Sequence, residues 1–469
     1  MVDRVTDSSG SPPLKVTAPG EAEPPDGSLQ YDPAELITVG RTTLTRARYL
    51  RRLLLIIYAA YFLASFDGAV AGAAGPTMTR VFDVSAKTLL YSTAAIGLVA
   101  TLFSVLAGLL IDRYGRKRVF SYSLLGVGLF SGFTSIITAF WQYILLRALV
   151  SVTEAGIRGS QTVLISEEAP PKQRGSYQGF GWLALYLGTG IGSVAAAGIL
   201  DAGKWRLLFA LTFLPMLLVL VTTRWLRESP RFTRLREDSP DGPGRLLRTG
   251  LRNAAQEIER DALRRLFSRP FRRQTAAMMG FGLFCTSAGA FTLLVAPLYL
   301  VENRDYSESR ASLFIGVMAL FSLLGNLPAG WLSDRISPKH VMVIWEALGT
   351  LLVIPLVVPG VGDWAIYLAF AAMGFFVSTG VVSFSVYLTG AFTTAIRGTA
   401  LSMVLVSASL GGIIIPLISA PLVDLDVSYA VPLLILSFPL GALVSAMALR
   451  PVTPGVDIDR QAEEISRGS

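Results

Sequence analysis

Apolar runs of 18 or more residues recur along this chain and constrain its fold more than any other feature. A helix of that length can cross roughly 30 Å of hydrocarbon. Only 16% of the 469 residues are charged and 52% are hydrophobic, whereas a soluble chain carries about 25% charged residues. The sequence therefore predicts an all-α membrane protein with many spans.

Twelve spans are predicted, in two sets of six. The N-terminal half, 51–226, contains spans near 51–76, 88–111, 119–139, 143–166, 176–200 and 205–226. The C-terminal half, 274–449, contains spans near 274–299, 311–333, 341–359, 364–388, 399–423 and 428–449. Residues 1–50 and 450–469 are expected to be tails, the first of them disordered. The polar linker 227–273 is expected to carry an amphipathic helix, because "LRNAAQEIERDALRRLF" alternates apolar and charged residues at helical spacing.

Basic residues concentrate in alternate loops, which predicts the orientation of the chain. By the positive-inside rule, both tails and the linker face the cytoplasm. We expect a bacterial inner-membrane protein without a signal peptide. The residues that carry this prediction are Arg46, Arg48, Arg51 and Arg52 before the first span, Arg113, Arg116, Lys117 and Arg118 after the second, and Lys172 and Arg174 after the fourth.

Several functional classes are disfavoured by composition. The net charge of +8 is placed in loops between spans, which fits membrane topology better than nucleic-acid binding. A single cysteine, Cys285, and a single histidine, His340, argue against an internal disulfide, a Cys/His zinc site and histidine catalysis. We expect a monomer that is not an enzyme and needs no cofactor. Its expected partners are the lipid bilayer, a small molecule and protons.

The two halves repeat one motif. "GLLIDRYGRKR" closes the second span and "GWLSDRISPKH" closes the eighth, and Asp112 and Asp334 stand 222 positions apart. "RGS" at 174–176 and "RGT" at 397–399 are separated by 223 positions. Matched halves of six helices in the same order predict a carrier that rocks around a central site.

The first copy resembles the signature loop of the major facilitator superfamily. Its residues are Gly108, Asp112, Arg113, Gly115, Arg116 and Lys117. The resemblance covers about 50–450 and implies twelve helices in two pseudo-symmetric halves with a charge network that gates the cytoplasmic side. The alternative is that the basic residues only determine the orientation in the membrane, but that role would require neither Asp112 nor the glycines. In the second copy only Gly330, Asp334, Arg335 and Lys339 match, because Ser337 and Pro338 replace the other positions, and Glu346 is predicted to pair with Arg335 or Lys339.

Other segments resemble the branch of sugar porters and metabolite:proton symporters. They are "SEEAPPKQRG" at 166–175, "WRLLF" at 205–209, "RESPRF" at 227–232 and "FDG" at 66–68. The sugar porters' C-terminal Pro-Glu-Thr motif is missing, so a sugar porter is disfavoured. Drug:proton antiporters, the competing class, carry a Gly-Pro pair in the fifth span, where "YLGTGIGSVAAAG" has glycines but no proline.

The fourth span carries three charges on one face. Residues seven and eleven apart return to nearly the same direction on a helix, so Arg147, Glu154 and Arg158 are aligned. Ions at membrane depth are costly, and such a face is expected to point to a cavity or a charged partner. Arg147 followed by Glu154 is similar to the fourth span of anion:cation symporters. That resemblance implies an arginine for anion handling or coupling and a glutamate for proton coupling.

Asp67 is the second predicted proton carrier. It lies roughly 22 Å along the first span from Arg52, at a depth similar to that of Arg147, which predicts a switchable pair. The alternatives are a static Asp67–Arg147 salt bridge and an Arg158 that only neutralises Glu154. Trp182 and Tyr186 are further candidates to line the cavity, although aromatic residues in spans often serve packing alone.

The sequence thus predicts proton-coupled uptake of a small organic anion. Protonation of Asp67 and Glu154 would release Arg147 or Arg158 to bind the anion. Two alternatives stay open at this point. The first is a proton-driven efflux antiporter for hydrophobic or drug-like compounds, and the second is a non-transporting receptor with the same fold.

Overall fold

The structure is a computed structural model that describes most of the chain. The described residues are 35–39, 42–170, 174–228, 264, 266–269, 271–333, 335–356, 358, 361–391, 394–423 and 430–451. Of the amphipathic helix predicted in the linker, Arg264, Leu266 and Phe267 are among them and the other residues are not, and the tails 1–34 and 452–469 also lie outside.

The described residues form twelve helical spans, as the sequence predicts. The N-terminal half contains Arg46–Ala73, Ala86–Tyr114, Arg116–Phe133, Phe140–Glu168, Arg174–Leu200 and a sixth span made of Trp205–Leu211 and Leu214–Trp225. The C-terminal half contains Arg272–Arg304, Glu308–Ser333, Pro338–Leu356, Asp363–Gly390, Thr394–Val423 and Ala430–Ala448. By length and apolarity alone, nine helices among the described residues qualify to cross a membrane.

Three spans depart from regular α-helix. The seventh contains a π-helical turn at Phe291–Val295, and the tenth contains another at Met373–Ser378. The sixth span is interrupted before Pro215, which stands in the first turn of its second helix. Proline is tolerated in a first turn because it has no N–H to donate inside a helix. The first span is followed by a short helix, Gly75–Phe82, which has Pro76 in its first turn in the same way.

One part of the predicted N-terminal tail is ordered, which corrects the prediction of a disordered segment through residue 50. Leu36–Val39 and Thr42–Thr45 pair as an antiparallel β-hairpin, and the first span begins at Arg46. The β-branched residues of this stretch favour a strand. Ile37 and Val39 are buried against the first span, and Arg46 pairs with Glu35 at 2.8 Å.

The halves pack in the same order, so the pseudo-symmetry extends to tertiary contacts. In the N-terminal half, span 1 packs on span 5, span 2 on span 4 and span 3 on span 6. In the C-terminal half, span 7 packs on span 11, span 8 on span 10 and span 9 on span 12. Between the halves, span 5 packs on span 8 and span 2 on span 11, which are equivalent pairs under the same symmetry.

The two ends of the bundle differ in how the halves meet. We call the end that carries Arg46, Tyr114 and Leu226 the linker face, and the other end the distal face. Toward the distal face, one buried cluster joins both halves, with Phe66 and Val70 packed among side chains such as Phe291 and Phe314. Toward the linker face, the described buried side chains form separate clusters in each half. The described buried core is therefore shared by both halves toward the distal face and separate in each half toward the linker face.

Glycines allow the closest helix crossings. A Cβ at Gly188 would collide with the backbone oxygen of Phe62, where span 5 crosses span 1. In the other half, a Cβ at Gly374 would collide with the backbone oxygen of Met318, where span 10 crosses span 8. Small residues let backbones approach in this way, and the crossings hold each half together as a unit.

Candidate functional site

A buried ion pair joins the first and fourth spans in the N-terminal half. The Arg147 guanidinium donates to the Asp67 carboxylate at 2.9 Å, with Asp67 fully buried and Arg147 14% exposed. The structure thus brings together the two residues whose depths along their spans match in the sequence. Because Asp67 is fully buried and Arg147 is mostly buried, each charge stabilises the other in a medium of low dielectric constant.

Two hydroxyl groups extend this pair to the third and sixth spans. Ser131 donates a hydrogen bond to the other carboxylate oxygen of Asp67. The Thr212 hydroxyl lies 2.9 Å from the Ser131 oxygen and 2.6 Å from the carbonyl oxygen of Phe209. Tyr143, one turn before Arg147, is buried beside the pair. The Asp67 carboxylate is therefore held by one charge and one hydroxyl, and its environment links four spans.

Sequence reasoning missed Ser131 and Thr212. Serine and threonine are common in membrane helices, where they usually bond to their own helix backbone, so neither residue stands out in the sequence. The direction of each side chain around its helix would have identified Ser131 and Thr212 only after spans 3 and 6 had been assigned as neighbours of Asp67. That assignment requires the tertiary structure.

The second charge pair of the fourth span lies nearer the linker face. Arg158 donates to Glu154 at 2.5 Å, with side-chain exposures of 70% for Arg158 and 16% for Glu154. Arg158 also lies near the ring of Tyr61. The three aligned charges therefore divide into a buried arginine paired with Asp67 and an exposed arginine paired with Glu154.

The two aromatic candidates of the fifth span have different surroundings. Trp182 is 38% exposed and follows Gly181, against which the Tyr61 ring packs. Tyr186 is buried, and its hydroxyl donates to the backbone oxygen of Ser378 in the tenth span at 3.1 Å. Tyr186 therefore contributes a hydrogen bond between the two halves.

The first predicted gate loop lies within a charge network at the linker face. Gly115 has φ 96°, which favours glycine, and it joins the second and third spans in a tight turn. The Arg116 side chain pairs with Glu167 at 3.3 Å. The backbone N–H groups of Arg116 and Lys117 donate to Glu228 at 2.7 and 3.2 Å.

Further contacts complete that network. The Lys117 ammonium donates to the Thr223 carbonyl oxygen at 3.0 Å, and Arg227 pairs with Glu168 at 3.2 Å. Arg113 lies over the ring of Tyr114. Gly108 and Asp112 belong to the second span, but the Asp112 side chain falls outside the described part. The acidic residues of this network are Glu167, Glu168 and Glu228. They stand in the segments 166–175 and 227–232, which resemble the symporter branch, but no role was predicted for them.

At the second predicted gate loop, the structure contradicts the predicted pairing of Glu346. Glu346 does not pair with Arg335 or Lys339, because it is fully buried inside the C-terminal half. Neither of its carboxyl oxygens has a hydrogen-bond partner among the described residues. Arg335 instead lies 3.8 Å from the ring centre of Trp331, and Gly330 faces Val382. Lys339 lies near Arg273, and Asp334 is outside the described residues.

The distal face carries a contact between the halves that the sequence did not indicate. Glu308, at the start of the eighth span, accepts hydrogen bonds from Thr77 at 2.6 Å and from Arg80 at 2.9 Å. Thr77 and Arg80 belong to the short helix after the first span. We call these three residues the distal latch. Charged residues are abundant in the loops of any such sequence. The distal latch can therefore be recognised only from the short distances between its side chains in the structure.

Known proteins resemble the chain over nearly its whole length. The model of the Major Facilitator Superfamily matches residues 57–307 and 279–465. A gallate transporter of Pseudomonas putida is 25% identical over 416 residues, which cover 84% of this chain and 90% of that protein. A 4-hydroxybenzoate transporter of the same species is 29% identical over 323 residues, covering 64% of this chain and 70% of that protein.

A solved structure supports the same fold. The crystal structure of a D-xylose-proton symporter superimposes with a TM-score of 0.69 at 19% identity, covering 87% of this chain and 98% of that one. The family match, the paired six-helix halves and the relatives agree that the protein is a multi-pass membrane transporter and not an enzyme. The chain belongs to the Major Facilitator Superfamily.

Proposed function

We propose that the protein takes up a small aromatic carboxylate together with protons. The observation that carries this proposal is the buried Asp67–Arg147 pair, which combines a titratable acid with a cation able to grip a carboxylate. The names of the relatives support the substrate class, since gallate and 4-hydroxybenzoate are both aromatic carboxylates.

The pair provides a switch between proton and anion. While Asp67 is ionised, it occupies Arg147 at 2.9 Å and Ser131 holds its second oxygen. Protonation of Asp67 removes the charge that Arg147 balances, and a buried guanidinium without a counter-charge is costly. Arg147 then favours an anionic substrate as its new partner. Loss of the proton reverses the exchange, and the re-formed pair expels the anion.

The Glu154–Arg158 pair provides an entry site. Arg158 is exposed toward the linker face and lies near Tyr61 of the first span, whose ring packs against Gly181, the neighbour of Trp182 on the fifth span. A guanidinium beside aromatic rings suits a flat ring that bears a carboxylate, because the ring can stack while the carboxylate pairs with the arginine. Protonation of Glu154 would free Arg158 in the same way that protonation of Asp67 frees Arg147.

The direction of transport follows from orientation. We place the linker face in the cytoplasm of a bacterial cell, with both termini on that side, because basic residues concentrate there. The described buried cores of the halves are joined toward the distal face and separate toward the linker face, which supports a state open to the cytoplasm. The charge network of Arg116, Glu167 and Glu228 would serve as part of the cytoplasmic gate.

Transport into proteoliposomes tests the proposal. Labelled 4-hydroxybenzoate should accumulate when an inward proton gradient is imposed, and a protonophore should abolish the accumulation. Asp67→Asn should abolish gradient-driven accumulation, whereas Asp363→Asn, at an exposed pair on the distal face, should not. Accumulation without a proton gradient would contradict the proposal. Expulsion of the acid in exchange for protons would instead identify an antiporter.

A further inference from the structure

Glu346 is a buried acid that the proposed exchange does not use. It lies on the ninth span, and its side chain is fully buried in the C-terminal half. Neither Oε1 nor Oε2 has a hydrogen-bond partner among the described residues. The fit is close, because a Cβ at Gly380 of the tenth span would lie only 2.5 Å from Oε1. A carboxyl group placed so tightly, with neither oxygen hydrogen-bonded to a described residue, requires an explanation.

No counter-charge lies beside Glu346 in the part of the C-terminal half that the structure describes. The ninth span packs on spans 8, 10 and 12, and Phe281 and Cys285 of span 7 lie beside Glu346 and Gly380. Between residues 311 and 333, 368 and 386, and 430 and 448, the chain contains no acidic, basic, tyrosine or cysteine side chain. From span 7, the titratable group that faces Glu346 is Cys285, with Tyr186 of span 5 beyond it. On the ninth span itself, Lys339 and His340 stand at the linker-face end.

These surroundings favour the neutral acid over the carboxylate. An ionised carboxylate without a cation or a hydrogen-bond donor loses its hydration and gains nothing in return. The protonated group carries no net charge, and its cost of burial is that of an ordinary polar group. In this conformation, the packing around Glu346 therefore suits a bound proton.

The surroundings of Glu346 are linked to the N-terminal half by hydrogen bonds to the tenth span. The π-helical turn Met373–Ser378 lies against the ninth span, and its last carbonyl oxygens accept bonds from side chains. Cys285 donates to Val377 at 3.6 Å, and Tyr186 of the N-terminal half donates to Ser378 at 3.1 Å. Turns of this kind mark functional positions in helices, and this one lies between Glu346 and a contact that a rocking motion must change.

We propose that Glu346 is a further protonation site, in the C-terminal half, that holds a proton while the halves are closed at the distal face and releases it when they rearrange. This inference rests on the proposed proton coupling and extends it to a half of the molecule whose span interiors contain no arginine or lysine. Rearrangement about Ser378 would open the packing at Gly380, admit water and allow the carboxylate to form.

Infrared spectroscopy tests the proposal directly, without any transport. In the purified full-length protein in nanodiscs near neutral pH, the wild type should show a carboxylic-acid C=O stretching band that disappears in Glu346→Gln. Glu346→Asp retains an acid and should shift the band. Glu302→Gln, at a carboxylate of the distal face, is the matched control and should leave the band unchanged. A wild type without this band, or a band that survives in Glu346→Gln, would overturn the inference.

Transport stoichiometry separates this inference from the proposed function. Glu346→Gln should still transport, with a lower proton-to-substrate ratio measured from the gradient at which net flux reverses. If the wild type shows no proton-driven transport at all, the proposed function fails, and the infrared band then reports on Glu346 alone. If transport is proton-driven and Glu346→Gln has the wild-type ratio, the Glu346 site is refuted.

Discussion

Asp67 and Arg147 show how much a single buried charge depends on its partner. Each residue alone would be expensive at membrane depth, and the pair is tolerated because the charges lie 2.9 Å apart and Ser131 adds a donor. The exposed pair between Arg310 and Asp363 has the same chemistry at 3.4 Å, with 60% and 54% of the side chains exposed. The two pairs should therefore respond very differently to mutation.

Arg147→Ala should destabilise the protein strongly, because it leaves the Asp67 charge buried without a partner. The expected loss is about 3–5 kcal/mol, measured as a lower Tm in detergent. Arg147→Ala/Asp67→Ala should recover much of that loss, since no uncompensated charge remains. Arg310→Ala is the control, with an expected change of about 0–1 kcal/mol. A double variant as unstable as Arg147→Ala would mean that packing, not charge, explains the loss.

At the scale of single elements, the β-hairpin before the first span adds a contact that hydropathy did not reveal. Ile37 is 2% exposed and packs against the first span, whereas its neighbour Leu36 is 70% exposed. Alternating exposure of this kind is typical of a strand with one face on a core. The hairpin is therefore expected to depend on Ile37.

Ile37→Ala should release the hairpin, because the apolar contact that holds it is lost. Cleavage by trypsin at Arg46, which is 6% exposed, should become about tenfold faster or more, in line with a cost above about 1.4 kcal/mol for a buried isoleucine. Leu36→Ala should leave the cleavage rate near that of the wild type. Equal rates for the two variants would show that the hairpin does not protect Arg46.

The close approach of spans 1 and 5 depends on the absence of a side chain at Gly188. Gly188→Ala should lower the Tm, because the added methyl group meets the Phe62 backbone and not a side chain that could move. Gly198→Ala is the control on the same span, since nothing lies within 4 Å of its position. There the substitution should leave the Tm unchanged or raise it slightly, because alanine favours a helix more than glycine does. An equal loss at both positions would contradict the proposed close approach.

For the whole molecule, the balance between conformations depends on what holds the distal face closed. Glu308 is 9% exposed and accepts two hydrogen bonds from the other half. The pair of Arg310 and Asp363 lies on the same face but joins spans 8 and 10 within one half. Of these two contacts, the distal latch is therefore the one that should influence how the halves move relative to each other.

Glu308→Ala should shift the population toward a state open at the distal face. Hydrogen bonds to a charged group contribute about 1.5–3 kcal/mol, which corresponds to a roughly 10- to 100-fold shift. Spin labels at V81C and W364C, both exposed positions of opposite halves, would report a longer distance in a Cys285→Ala background. Asp363→Ala should leave the distance distribution unchanged, and an unchanged distribution in Glu308→Ala would exclude a latch.

The sequence was sufficient for features that depend on the chain locally. Twelve spans, two halves and a turn at Gly115 follow from hydropathy, repeated motifs and residue type, because each span must satisfy its own length and backbone hydrogen bonds in lipid. Helix phase also aligned Arg147, Glu154 and Arg158, and depth alone matched Asp67 with Arg147. These predictions needed no knowledge of which helices are neighbours.

The tertiary structure decided which aligned residues meet. Glu346 was expected at a gate because it stands near the predicted cytoplasmic end of the ninth span, yet its side chain is fully buried in the C-terminal half. Ser131, Glu167 and Glu308 gained their partners from spans distant in sequence. Contacts between spans depend on crossings such as Gly188 on Phe62, which are determined by packing over the whole bundle and not by any one segment.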